Sequence, residues 1–186
     1  MISKVPEAFM FMKVGDHARE DFNSILERKN QEFERTGRIF WGYGGMPCHP
    51  LRQVQPFARM QVKKYGAVYI LMEKIDSHAD PDIVPATMYS EDGVNWNKIP
   101  DGIEIIGSRY ALILDEIKPG DLEISVGNYE VGIGPSRGKN ASEYIQGRVD
   151  KACLVSTSKR ISPVESKIKR IEICAKLLKP YAVILK

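Results

Sequence analysis

The hydrophobic positions change period along the chain, and the changes mark the elements. Ala8-Phe9-Met10-Phe11-Met12-Lys13-Val14 is a short apolar run ended by Gly15-Asp16. Its length and aromatic content predict a buried strand. The period then lengthens: Phe22, Ile25, Leu26 and Phe33, with Lys29 between, recur at helical spacing. Glu27, Arg28, Glu32, Glu34 and Arg35 lie mostly off that stripe. Asp16 is the expected N-cap and Gly37 the stop, which predicts a helix ending near Thr36. Residues 38–45 read as a strand breaking into a glycine turn. A helix over 51–64 follows, kinked or split by Pro56 and ended by Gly66. A strand over 67–75 comes next.

The second half is dominated by short runs and turn residues. Residues 86–89 and 95–99 are predicted to form a hairpin around Asp92-Gly93. The stretch Ser90-Glu91-Asp92-Gly93-Val94-Asn95-Trp96 resembles the Asp-box of sialidases and related β-propellers. In those families the box is a folding device away from the active site and recurs once per blade. A single copy implies a well-made hairpin and nothing about glycosidase activity. Strands are expected over 103–106, 110–117 and 122–131, the last two joined by a tight turn at Lys118-Pro119-Gly120-Asp121. Strand, Pro-Gly-Asp turn, strand is similar to small PUA-like barrels, including readers of modified bases. Asn140 is the expected cap of a helix over 141–154, and Pro180 separates two closing strands over 168–178 and 181–186. The pattern predicts a single α+β domain: a mixed, mainly antiparallel sheet or partial β-barrel with two or three helices.

Composition narrows the class without naming it. A chain of 186 residues, 43% hydrophobic and 27% charged, can bury a core and is no disordered segment. The net charge of +3 is too small to imply nucleic acid, but its distribution is uneven. Residues 136–186 carry 12 Lys/Arg against 4 Asp/Glu, while residues 1–135 carry 15 against 20. The last quarter is therefore electropositive. Three cysteines without a C-x-x-C pair argue for a reducing compartment rather than a disulfide scaffold. With no leader pattern and no membrane-length apolar run, a cytoplasmic protein without a membrane partner is expected.

Candidate chemistry centres on Gly132-Ile133-Gly134-Pro135-Ser136-Arg137-Gly138-Lys139-Asn140. Its glycines can turn several N–H groups one way, and Gly134, Ser136, Arg137, Gly138, Lys139 and Asn140 together suggest an anion cradle ahead of a helix. The loop is not a Walker A motif, because its spacing differs and Asn140 stands where a hydroxyl is needed. Trp41-Gly42-Tyr43-Gly44-Gly45 is a second candidate, with aromatic faces beside accessible amides: Trp41 and Tyr43 to stack on a base, Gly44 to approach a phosphate. If the two loops face one cleft, they suit a phosphorylated, nucleotide-like ligand held without catalysis. An enzyme acting on a nucleotide or ADP-ribose group is the rival reading, with Glu143 or His49 as its working group. A nucleic-acid module using the basic last quarter is the third.

Other constellations are weaker. Cys48-His49 places thiol and imidazole on adjacent residues whose side chains diverge. His17, His49 and His78 with Asp76, Asp80 and Asp82 lack metal-ligand spacing, and neither a metal nor a cofactor is expected. Asp115 with Glu116, and Glu91 with Asp92, lack acid–base geometry. Arg109, Arg148 and Arg160 are candidate phosphate forks.

Overall fold

The computed structural model describes residues 5–45, 47–79, 84–146, 149–159 and 167–186. Ten strands form one open sheet, so the chain is α+β with a mainly antiparallel sheet and no closed barrel. The strands are β1 (Ala8–His17), β2 (Ile39–Tyr43), β3 (Tyr69–Ala79), β4 (Met88–Ser90), β5 (Asn97–Lys98), β6 (Tyr110–Leu114), β7 (Lys118–Ser125), β8 (Tyr129–Val131), β9 (Lys151–Ser156) and β10 (Ile168–Leu185). The main path runs β2-β6-β10-β3-β1-β9-β8, with β4 and β7 also on β10 and β5 on β4. Among the described residues only β1 and β3 pair in parallel, and the connection between them holds α1 (Phe22–Thr36), β2, a π-helical turn (Pro50–Val54) and α2 (Gln55–Tyr65).

Both faces of the central strands are covered. Along β1, Met10, Met12 and Val14 enter the core on the face of α1 and α2, while Phe9 and Phe11 pack on the face of α3 (Ala141–Tyr144). That explains why the run is almost continuously apolar rather than alternating. β10 serves two parts of the sheet: its first half pairs with β3 and β7, and after a register break between Leu177 and Ala182 it pairs with β6 and β4. The two closing strands expected around Pro180 are therefore one element.

Several expectations need correction. Asp16 does not cap α1: β1 runs on to His17, a two-residue turn at Ala18-Arg19 follows, and Asp21 caps the helix through Asn23 and Ser24 N–H groups. Asp16 still accepts the Phe22 N–H at 3.0 Å. Lys118-Pro119-Gly120-Asp121 is not a turn but the start of β7, paired with β10 through Pro119 and Ile173. Gly120 is needed there because a Cβ would sit 3.1 Å from the Ile171 carbonyl oxygen. The turn that suggested a PUA-like barrel is thus absent, and the sheet is open. Residues 103–106 form no strand, although Ile103 and Ile105 are buried. The helix expected over 141–154 is one short turn, and residues 151–154 belong to β9.

The Asp-box forms the hairpin its sequence implied. Asp92 Oδ1 accepts the Val94 and Asn95 N–H groups at 2.8 and 2.7 Å, which holds its carboxyl well below the usual range. Gln55 of α2 donates to the Glu91 carbonyl at 2.8 Å, fixing the hairpin to the body of the protein. The chain splits ahead of Pro56, where the π-helical turn hands over to α2.

Candidate functional site

β1 and β3 extend past the rest of the sheet, and α1 crosses beside their ends. The space between them becomes a cavity of about 500 Å³. Its walls are the last residues of β1, Ile75 and Ser77 of β3, Trp41 to Tyr43 of β2 with Gly44 and Gly45 after it, the buried face of α1, the 104–108 segment, and Asp150-Lys151 at the start of β9. Gly42 lets the 107–108 segment close against β2, since a Cβ there would run into the Ser108 hydroxyl. Past it, nothing lies within 4 Å of where a Gly44 side chain would begin.

Two buried ammonium groups, Lys29 and Lys151, stand among the charged residues of the lining, with Lys13, Arg28, Asp16, Glu104 and Asp150. Lys151 is 3% exposed; its Nζ donates to Asp150 Oδ1 at 2.6 Å and to the Gly44 carbonyl at 3.1 Å, and lies 5.9 Å from the Tyr43 ring centre. Lys29, also 3% exposed, donates to Glu32 Oε2 at 2.7 Å and to the Glu104 carbonyl at 2.8 Å. Burial pushes its pKa down, and Glu32 opposes that shift. Glu32 in turn accepts the Phe40 N–H at 2.7 Å, so one buried carboxylate ties α1 to β2. An ammonium has three donors. Two are used in each lysine among the described residues. Arg28, at the rim, is held by Glu20 at 2.6 Å.

Of the residues anticipated from sequence, Trp41, Tyr43 and Gly44 line this cavity. Tyr43 is fixed by its hydroxyl, which donates to the Cys48 carbonyl at 2.7 Å, and by Tyr110, whose ring centre is 5.4 Å away. Burial raises the Tyr43 phenol pKa well above its ordinary value, so it stays a donor.

Gly134, Ser136, Arg137, Gly138, Lys139 and Asn140 lie outside the cavity lining. Their loop folds on itself: Arg137 N–H donates to Gly134, Gly138 N–H to Val131, and Lys139 N–H to Ser136. Three of the donors expected to cradle an anion, those of Arg137, Gly138 and Lys139, are spent on carbonyls. Asn140 caps the Ser142 N–H and donates to Gly127, and Arg137 and Lys139 point into solvent as exposed residues. Ile133 of that loop lines a separate, small recess with Cys48, Gln53 and Tyr144, which no residue of the Trp41–Gly45 stretch joins.

The remaining candidates are engaged locally. His49 packs its ring on Tyr110, and its Nδ1 accepts the Leu51 N–H at 3.3 Å. Burial, with Arg52 second, lowers its pKa. The neutral ring is the folded form's choice, so its contribution to stability is present above pH 6.5 and is lost as pH falls through the lower folded-state value. A proton-NMR titration should give His49 a midpoint below 6.5; one at or above it would contradict the capping role. Glu143 is exposed in the first turn of α3. Asp115 accepts the Lys176 N–H, and Glu116 pairs with Lys118. Arg109 is exposed, while Arg148, Arg160, Asp80 and Asp82 lie outside the described residues. Among the described residues no group of three His, Cys, Asp or Glu side chains could hold a metal, and no helix is long and apolar enough to cross a membrane. The basic last quarter is divided: Lys151 is inside, Lys169 pairs with Glu73, and Arg170 lies 3.9 Å from Asp121.

Sequence reasoning missed Lys29, Lys151 and Asp150. For Lys29 a signal existed, a charged residue inside an apolar helical stripe; for Lys151 none did. No protein-family model matches the chain, and neither a curated protein nor a solved structure matches it.

Proposed function

We propose that the protein binds a small anionic ligand with a planar part, of the nucleotide kind, and holds it without chemistry. The observation that carries the reading is the cavity of about 500 Å³, with Trp41 and Tyr43 on one wall and two buried ammonium groups in its lining. A cavity of that size suits a nucleotide-sized ligand, and its lining mixes apolar residues with four cationic side chains (Lys13, Arg28, Lys29 and Lys151) against three carboxylates (Asp16, Glu104 and Asp150) that would orient it. Stacking on the aromatic wall would take the base. The ammonium groups of Lys151 and Lys29 would take its negative group, where low dielectric strengthens the attraction.

The binding function is favoured over catalysis by the state of the cavity's ionisable groups. Lys29 and Lys151 each face a carboxylate, and Asp16 serves a helix N-terminus. His17 Nε2 lies 3.3 Å from the Ile106 carbonyl at the rim. His49 and Glu143, the groups an enzyme reading would need, stand outside the lining. Calorimetric titration against mono-, di- and cyclic nucleotides tests the proposal. At least one is expected to bind with the base and the phosphate both contributing, so that nucleoside alone and inorganic phosphate alone bind more weakly. Heatless titrations across the whole panel would refute it.

A further inference from the structure

Beside the cavity, on the far side of the loop that follows β2, two thiols share one recess. Cys48 lies in that loop and Cys153 in the middle of β9; both are buried and neither is in a disulfide. They belong to the same face of the sheet, and their side chains are hydrogen-bonded to each other. Cys174 is on the opposite face, packed with Phe9 and Leu71. The recess holds about 10 Å³, room for roughly one water-sized molecule. Cys48 has φ +62°, a left-handed backbone that a side-chain-bearing residue adopts only when its surroundings enforce it. Its carbonyl is the one that receives the Tyr43 hydroxyl, and the residue after it caps the π-helical turn.

We propose that Cys48 and Cys153 form an oxidative modification site, a dithiol that hydrogen peroxide converts to a disulfide within the folded protein. The oxidant is chosen by the recess, which admits a molecule about as small as water and no bulky disulfide. The Cys48 thiolate attacks one peroxide oxygen, the O–O bond breaks, and hydroxide leaves with a Cys48 sulfenic acid formed. The proton lost by Cys48 neutralises that hydroxide. The Cys153 sulfur then attacks the Cys48 sulfur; the Cys153 proton and the sulfenic hydroxyl depart as water, and the S–S bond closes. Two thiols lose two electrons and two protons, and one peroxide becomes two waters. Cys48 goes first because the hydrogen bond that the Cys153 thiol donates to Cys48, followed by burial, holds the Cys153 thiol well above its ordinary pKa. The new bond would fasten the loop that follows Tyr43 to the strand that carries Lys151. It is independent of what the cavity binds.

The test treats the native full chain with hydrogen peroxide, alkylates it in denaturant and maps its peptides by mass spectrometry. Expected are an intact mass lower by two hydrogens, a Cys48–Cys153 cross-linked peptide, and alkylation falling from three cysteines to Cys174 alone. Dithiothreitol should restore all three, and Cys174→Ser should leave the cross-link intact. Three thiols still alkylated, a cross-link through Cys174, or Cys48 halted at sulfinic acid would each overturn the assignment. Because the map is read on the wild-type chain, a misfolded Cys48→Ser or Cys153→Ser variant would not obscure the answer.

Discussion

Replacing Lys29 by methionine should cost about 3–5 kcal/mol of folding stability, the largest loss expected from any single change in the site. The side chain of Glu32 is 1% exposed and lies outside the cavity lining, so solvent cannot take over its charge once the lysine is gone. Methionine fills the same volume but leaves the Glu32 carboxylate facing an apolar wall, and the Glu104 carbonyl loses its donor. Glu32 cannot simply become protonated without weakening the acceptor that holds the Phe40 N–H. The second substitution Glu32→Gln keeps an acceptor for Phe40 and removes the stranded charge. Lys29→Met/Glu32→Gln should therefore be more stable than the sum of its singles predicts, by more than about 1 kcal/mol of coupling. Urea unfolding of the four proteins measures this directly. A Lys29→Met loss under about 1 kcal/mol, with additive behaviour, would show that the pair is not closed to water.

Lys151→Met should leave the fold standing and remove most of the ligand affinity. Here the partner carboxylate, Asp150, is 44% exposed and can be hydrated once the lysine is gone. The lost donor to the Gly44 carbonyl is the only other protein bond at Nζ among the described residues. For the ligand, the loss is a charge-assisted hydrogen bond, roughly 1.5–3 kcal/mol. That corresponds to a dissociation constant raised about ten- to a hundredfold. Arg137→Ala and Lys139→Ala, on the glycine loop, should change it by less than about twofold, because both side chains are exposed outside the cavity. Comparable losses from all three would mean that general positive charge, rather than the cavity, attracts the ligand.

The parts of this architecture that were legible in sequence are those whose signal is local. The apolar stripe of α1 and its stop at Gly37, the split ahead of Pro56, and the Asp92 hairpin are each written within a dozen residues. What escaped has its cause elsewhere in the chain. Ala18 and Arg19, at φ +51° and +65°, form a turn without glycine or asparagine, so Asp16 looked like the cap that Asp21 provides. Pro119 and Gly120 form a strand because β10 offers partners to Lys118 and Pro119. Lys151 to Leu154, paired with β1, are buried on both faces, which removes the alternation that marks a strand. The same holds for the site. Glycines alternating with Trp41 and Tyr43 announced one wall, whereas Lys29 and Lys151 become neighbours of that wall only through α1 and β9. The glycine loop announced an anion cradle, and folding spent the amides of Arg137, Gly138 and Lys139 internally.

A crystal structure of the protein soaked with the nucleotide that titrates most tightly is the most direct trial of the central claim. Ligand density should lie between the Trp41–Gly44 wall and the Lys151 ammonium, inside the 500 Å³ cavity. Density on Ser136 to Asn140 with that cavity still holding only solvent would contradict it.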